Sequence, residues 1–194
     1  MSAIATAHAL SEHEQKIDRA KLGMWMFLGS EVMFFTGFLS AYVALRMSDP
    51  EWPRGHDRLN WPLAAVNTVV LIVSSFTMAL GVNAAQRDLK KRLRLCLGAT
   101  ALLGLTFLVI KIFEYADKIH HGHLPSTELF YGTYFLLTGF HGLHVLGGVV
   151  ALTITLLLAN RFSPRWYAPV ENVGLYWHFV DIVWIFLFPT LYLL

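Results

Sequence analysis

Five ionisable side chains stand out within long apolar runs of this sequence, where a charged group is costly. They are Glu31, His141, His144, His178 and Asp181. His141 and His144 are three residues apart, as are His178 and Asp181, so each pair shares one face of a helix. Because imidazole and carboxylate groups can bind metals, carry protons or hydrogen-bond between helices, these five residues form the candidate site.

The number of histidines limits the redox chemistry that this site could support. A haem held by two histidines in a membrane bundle needs histidines on facing helices, and a copper–haem centre needs more ligands still. Only two apolar runs hold central histidines, so the sequence predicts no catalytic, cofactor-binding or metal-binding residue in this chain. One metal site built from the three histidines and two carboxylates is the alternative. The single cysteine, Cys96, excludes an internal disulfide.

Each candidate residue also has a structural interpretation. Glu31 lies about ten residues, or roughly 15 Å of helix, into its apolar run. It either accepts hydrogen bonds from a neighbouring helix or has a lipid-contact or proton-related role. His141 and His144 are expected to donate hydrogen bonds to other helices. His178 and Asp181 are expected to form a local hydrogen-bonded pair that fixes their helix against its neighbours.

Composition and hydropathy place the chain among membrane proteins. Hydrophobic residues make up 56% of the sequence and charged residues 14%, with a mean hydropathy of +0.52, whereas soluble domains are about 25% charged. The fold class is therefore all-α, a polytopic bundle of five transmembrane helices over residues 22–194, after an amino-terminal tail over residues 1–21. Lys111, near the end of the third span, is expected to extend its amine to the membrane surface. The five spans cover about residues 22–45, 62–85, 95–115, 129–159 and 172–194.

Lysine and arginine are divided unequally between the two ends of these spans. Ten lie in the tail and in the second and fourth loops, and five lie at the other end. Because these residues favour the cytoplasmic side, the amino terminus is predicted to be cytoplasmic and the carboxy terminus outside. The net charge of +2 gives no reason to expect a nucleic acid partner. The ten residues are Lys16, Arg19, Lys21, Arg87, Lys90, Lys91, Arg92, Arg94, Arg161 and Arg165.

Four stretches of the sequence resemble subunit III of haem-copper terminal oxidases, and they occur in the order of that family. The resemblance covers about residues 20–194, with GFHGLHV in the fourth span and WHFVD in the fifth as its most specific part. The chain is similar to the five-span bacterial form and lacks the first two spans of the mitochondrial form. The stretches are SEVMFFTGFLSAY, NTVVLIVSSFTM, FYGTYFLLTGFHGLHVLGG and YWHFVDIVWIFLF.

The resemblance implies a non-catalytic subunit of an oxidoreductase complex, without redox centres of its own. Haem and copper are then expected in partner subunits, and the partners are the catalytic subunit I, other subunits of the complex and membrane lipids, including bound phospholipid. The implied location is the bacterial inner membrane, and the implied role is to support stability, lipid binding and proton uptake during aerobic electron transport. Glu31 matches the family's intramembrane glutamate, known for reacting with a carbodiimide. The other four candidates match the helix signatures, as bundle-fixing residues or contacts to lipid headgroups or subunit I.

Three alternative functions stay open at this point. The chain could be subunit III of a quinol oxidase, because the sites for quinol and cytochrome c lie on other subunits. It could be the accessory subunit of a nitric oxide reductase, which has a related five-span form. A proton-coupled transporter would use Glu31 and the His178–Asp181 pair directly, and it would need a water-lined path through the bundle.

Overall fold

The computed structural model describes the backbone of residues 2–164 and 166–194 and the side chains of residues 19–164 and 166–194. This part of the chain is α-helical and contains no β-strand, which confirms the all-α prediction. A 3₁₀ turn, Ala159–Arg161, follows the fifth helix, and a π-helical turn, Pro189–Leu193, continues the sixth. The helices are α1 (Ser2–Ser48), α2 (Gly55–Arg58), α3 (Trp61–Gln86), α4 (Lys90–His120), α5 (Leu129–Leu157) and α6 (Ala168–Phe188).

Five helical segments are long and apolar enough to cross a membrane, and their number confirms the count from the sequence. The first three extend beyond the predicted apolar runs at both ends, because helical hydrogen bonds continue through polar residues at the membrane surface. The fourth instead ends at Leu157, before the predicted end at 159, and the fifth begins at Ala168, before the predicted start at 172. Of the residues counted for the orientation, Lys16 and Arg165 lie outside the described side chains, as do residues 1–18 of the predicted tail. The segments are Arg19–Ser48, Trp61–Gln86, Lys90–His120, Leu129–Leu157 and Ala168–Leu193.

Helices α3, α4, α5 and α6 pack in a ring, each against its two neighbours, and α1 lies outside the ring against α6. The contact of α1 with α5 is smaller. Helix α1 buries a narrow stripe of side chains at seven-residue spacing, Leu28, Phe35 and Tyr42. That spacing keeps the three residues on one face, so α1 joins the bundle through a single seam.

Trp177 of α6 fills the centre of the ring and is fully buried. Its indole nitrogen donates to the hydroxyl of Ser74 on α3, at 3.0 Å. Glycines on α4 and α5 leave room for the indole of Trp177. A Cβ atom on Gly104 would lie 2.5 Å from the indole, and one on Gly148 would lie 2.7 Å from it. Trp177 therefore contacts the three other helices of the ring, and α4 and α5 need glycine where they face it.

Local sequence sets several helix ends. The side chain of Asn60 accepts a hydrogen bond from the backbone N–H of Leu63 at 3.2 Å, and Pro62 occupies the first turn of α3. Both features are typical of helix starts, since they satisfy or remove amide groups that lack partners there. Helix α4 ends at His120, and Gly122 follows with a positive φ of 79°, which glycine adopts without strain.

Candidate functional site

Glu31 and His144 are 113 positions apart in the sequence and form a pair between α1 and α5. The Oε2 atom of Glu31 lies 3.0 Å from Nε2 of His144, and the two side chains are 19% and 18% exposed. The ring of His144 also packs edge-on against Phe35 of α1, with 5.0 Å between ring centres. Glu31 therefore has a polar partner inside the membrane segment, and a fifth of the pair remains accessible from outside the bundle.

The hydrogen bonds of His144 fix the net charge of this pair. Its Nδ1 atom lies 2.8 Å from the backbone oxygen of Phe140, which can only accept, so Nδ1 must carry a hydrogen. One further proton must then lie between Nε2 and Glu31, because a carboxylate facing the lone pair of Nε2 would be repelled. Whether that proton sits on the histidine or on the carboxyl, the two side chains together carry no net charge. Neutrality explains how a carboxyl is tolerated at this depth.

His141, one turn before His144, has a different environment. It is fully buried, and neither ring nitrogen has a hydrogen-bond partner in the described structure. Its ring stacks on Trp184 of α6 with 5.1 Å between centres, and it meets the edge of Phe107 of α4 at 5.6 Å. The expectation that His141 donates a hydrogen bond between helices is therefore wrong, because its side-chain contacts with α4 and α6 are aromatic.

His178 and Asp181 share a face of α6, but they do not hydrogen-bond to each other. The Nδ1 atom of His178 lies 2.6 Å from the hydroxyl of Ser75 on α3. Asp181 is 4% exposed, and neither of its carboxyl oxygens has a hydrogen-bond partner among the described residues. The predicted local pair is corrected accordingly, because the serine of the neighbouring helix takes the histidine nitrogen.

Lys111 belongs to a buried polar cluster that the sequence reading missed. Its amine lies 3.0 Å from Oε2 of Glu114, 2.5 Å from the hydroxyl of Tyr192 and 3.4 Å from the hydroxyl of Tyr134. The hydroxyl of Tyr192 in turn donates to the other carboxyl oxygen of Glu114 at 2.8 Å. Lys111 is only 5% exposed, so the expected extension to the membrane surface is wrong. A carboxylate, two hydroxyls and four aromatic rings compensate its desolvation within the bundle.

The π-helical turn after α6 aims Tyr192 at this cluster. Pro189 has no amide hydrogen for the usual α-helical bond, and the N–H of Leu194 bonds to the oxygen of Pro189, five residues earlier. The extra residue in the turn changes the direction of the following side chains, and Tyr192 becomes fully buried. Pro189 thus marks a change of helix type, and the turn that follows completes a polar contact with α4.

The sequence does contain a signal for this cluster. Lys111 and Glu114 are three residues apart within an apolar helix, which is the spacing of an intrahelical ion pair. A lysine with a matched acid on its own face need not reach the membrane surface to be solvated. Tyr134 and Tyr192 lie on other elements, and no spacing in the sequence connects them to the pair.

In the described part of the chain, no three histidine, cysteine, aspartate or glutamate side chains come together as metal ligands. Two histidines of the loop after α4 contact other kinds of partner. The rings of His123 and Tyr131 stack with 4.6 Å between their centres, and His121 lies 3.5 Å from the carboxylate of Asp117. The intramembrane polar groups instead meet partners from other helices. Such contacts hold helices together and do not by themselves provide redox chemistry.

These observations define a class, that of multi-pass membrane proteins in which five helices are joined through buried polar and aromatic contacts. Comparison with known proteins gives the family. The family model described as cytochrome c oxidase subunit III matches residues 2–194, and the chain belongs to that family. The resemblance noted in the sequence is thereby confirmed.

Curated relatives cover most of the chain. Cytochrome c oxidase subunit 3 of Corynebacterium diphtheriae is 39% identical over 176 residues, which is 88% of this chain and 86% of the relative. The probable cytochrome c oxidase subunit 3 of Nocardia farcinica is 37% identical over 190 residues, 95% and 94% of the two chains. Cytochrome c oxidase subunit 3 of Bacillus sp. strain PS3 is 34% identical over 175 residues, 89% and 84%.

Proposed function

We propose that this chain is the non-catalytic subunit III of a respiratory haem-copper oxygen reductase of the cytochrome c oxidase kind. The observation that carries the proposal is the family match over residues 2–194, together with curated relatives of similar length that bear this name. In this role the chain packs against the catalytic subunit I, which holds haem and copper with other subunits. It supports the stability, lipid binding and proton uptake of that subunit during aerobic electron transport.

Under this proposal, the five intramembrane polar residues serve either contacts outside the chain or the packing of its own helices. Glu31 and His144 are partly accessible, so the neutral pair is suited to contact a phospholipid or subunit I. His141 and Asp181 are buried within the bundle and position α5 and α6. His178 is half-buried and bonded to Ser75, so it joins α3 to α6 at the edge of the bundle.

We place the chain in the bacterial inner membrane with a cytoplasmic amino terminus and an external carboxy terminus. The excess of lysine and arginine at one end supports this orientation. Lys21 at the start of the first span pairs with Glu171 at the start of α6, at 2.9 Å. The first and the fifth span begin at the same membrane face, because each span crosses in the direction opposite to the one before. That face has the larger number of basic side chains.

Purification of the intact assembly tests the proposal. The chain is tagged in its native host, extracted in a mild detergent and analysed by native mass spectrometry and optical spectroscopy. We expect a large haem-bearing subunit to co-purify, oxygen consumption with reduced cytochrome c, and no haem spectrum from this chain alone. A haem band from the isolated chain, or an assembly without a haem subunit, would refute the proposal.

The same purification separates the alternatives. Oxygen consumption with quinol but not with cytochrome c would identify a quinol oxidase, and nitric oxide consumption would identify a nitric oxide reductase. Reconstituted vesicles that contain only this chain would take up solute along a pH gradient if it were a proton-coupled transporter. We expect no such uptake, because the Glu31–His144 pair is closed by direct contact and α6 is continuous up to Pro189.

A further inference from the structure

A cluster of exposed basic residues lies where α3 ends and α4 begins. Five cations fall within eight positions, and Asp88 is the one acidic residue among them. All five side chains are exposed. The cluster lies at the end of two spans, at the depth where phospholipid headgroups meet water. We refer to it as the basic cluster: Arg87, Lys90, Lys91, Arg92 and Arg94.

Two members of the basic cluster are held by the protein and three are free to bind. The amine of Lys90 donates to the backbone oxygen of Asn160 at 3.4 Å, and the guanidinium of Arg94 donates to its side-chain oxygen. These bonds attach the first turn of α4 to the 3₁₀ turn after α5. Within the described part of the chain, the side chains of Arg87, Lys91 and Arg92 make no hydrogen bond or ion pair.

An exposed apolar stripe begins directly beneath the basic cluster. Its residues follow Lys91 along α4 at successive intervals of four, seven, three, four and three positions. These intervals place all of them on the face of α4 that Lys91 occupies. Their exposed fractions range from 45% to 73%. The apolar stripe consists of Leu95, Leu102, Leu105, Val109 and Ile112.

We propose that the basic cluster and the apolar stripe together bind an anionic phospholipid. Its phosphate lies at Arg87, Lys91 and Arg92, and one acyl chain extends along the stripe. Clusters of basic residues beside a span attract anionic lipids, and a stripe of large aliphatic side chains matches a flexible hydrocarbon chain. A partner helix is disfavoured, because helices that pack in membranes use small residues where their backbones approach. The inference requires only that the bundle spans a membrane, so it does not depend on the oxidase assignment.

The test compares two triple variants in the purified intact assembly. Arg87→Gln, Lys91→Gln and Arg92→Gln remove three charges but leave the bonds of Lys90 and Arg94 in place. Arg87→Lys, Lys91→Arg and Arg92→Lys keep the charges and serve as the matched control. Each delipidated preparation is titrated with phosphatidylglycerol or with phosphatidylcholine, and bound lipid is counted by native mass spectrometry at low and high salt.

We expect the neutral triple variant to bind phosphatidylglycerol on the order of 100-fold more weakly, at about fivefold for each basic residue. The control variant should bind like the native chain, phosphatidylcholine should bind equally to all three, and salt should weaken native binding the most. Unchanged binding in the neutral variant, or an equal loss in the control, would overturn the proposal. Loss of a partner subunit in place of lipid would also overturn it, since an acidic protein segment would then occupy the cluster.

Discussion

The hydroxyl of Tyr192 lies 2.5 Å from the amine of Lys111 and 2.8 Å from the carboxylate of Glu114, although 81 and 78 positions separate them in sequence. The turn after α6 therefore closes an ion pair that belongs to α4. Because the ion pair is buried, removing one charge leaves the other without compensation in an apolar surrounding. The contact therefore joins the turn to α4 and gives both charged groups a further hydrogen-bond partner.

Breaking the buried ion pair should be costly, whereas removing both charges should be tolerated. We expect Lys111→Met to lower the free energy of unfolding by about 3–5 kcal/mol, since Glu114 is then buried alone. The double variant Lys111→Met with Glu114→Gln should lower the free energy of unfolding by markedly less, because no unpaired charge remains. Unfolding curves in detergent measure both values. Phe113→Leu on the same helix is the control, with an expected change within about 0.5 kcal/mol because Phe113 is exposed and belongs to no polar contact.

Pro189 and Tyr192 should act as one unit. Pro189→Ala restores an amide hydrogen, favours an ordinary α-helix and turns Tyr192 away from Lys111. Tyr192→Phe removes only the hydroxyl. It should lower the free energy of unfolding by about 1–3 kcal/mol, because Lys111 and Glu114 each lose a hydrogen-bond partner. A double-mutant cycle measured by thermal unfolding should therefore be non-additive, with the double variant close to the worse single variant. Simple addition of the two losses would show that the turn does not position Tyr192.

Gly148 should resist substitution more than Gly142 on the same helix. A Cβ atom on Gly148 would lie 2.7 Å from the ring of Trp177, whereas one on Gly142 would have its nearest neighbour at 4.0 Å. Gly148→Ala should lower the free energy of unfolding by about 1–3 kcal/mol through overpacking. Gly142→Ala should be neutral or stabilise by up to about 1 kcal/mol, because alanine is the better helix former. Similar unfolding curves for the two variants would contradict the packing of Trp177.

Glu31→Gln should preserve the pair with His144, because an amide N–H can donate to Nε2 of a neutral His144 and the pair stays uncharged. We expect normal assembly and most of the initial oxygen-consuming activity of the complex. His144→Leu should instead lower stability by about 1–3 kcal/mol, since it leaves Glu31 without a partner inside the membrane. Yield of the assembled complex and its melting temperature measure both effects. Loss of assembly in Glu31→Gln would show that the charge itself, and not the neutral pair, is required.

The sequence by itself determined the five spans, the membrane class and the family. Those properties follow from composition, from the length of apolar runs and from short stretches read in order, all of which are local. It also identified the intramembrane polar residues, because any charged or imidazole group stands out in an apolar run. For Lys111 the prediction was wrong although Glu114, three residues on, was a local signal for an ion pair. The tyrosines that complete the contacts of its amine come from α5 and from the turn after α6, which no local pattern connects to Lys111.

Only the tertiary structure decided which partner each polar residue has. His141 and His144 share a face and differ by one turn, yet one stacks on Trp184 of α6 and the other bonds Glu31 of α1. Spacing within a helix fixes the direction of a side chain, but the order of helices around the ring determines what lies in that direction. The pairing of Glu31 with His144 therefore depends on α1 packing outside the ring beside α5 and α6, which no local pattern specifies.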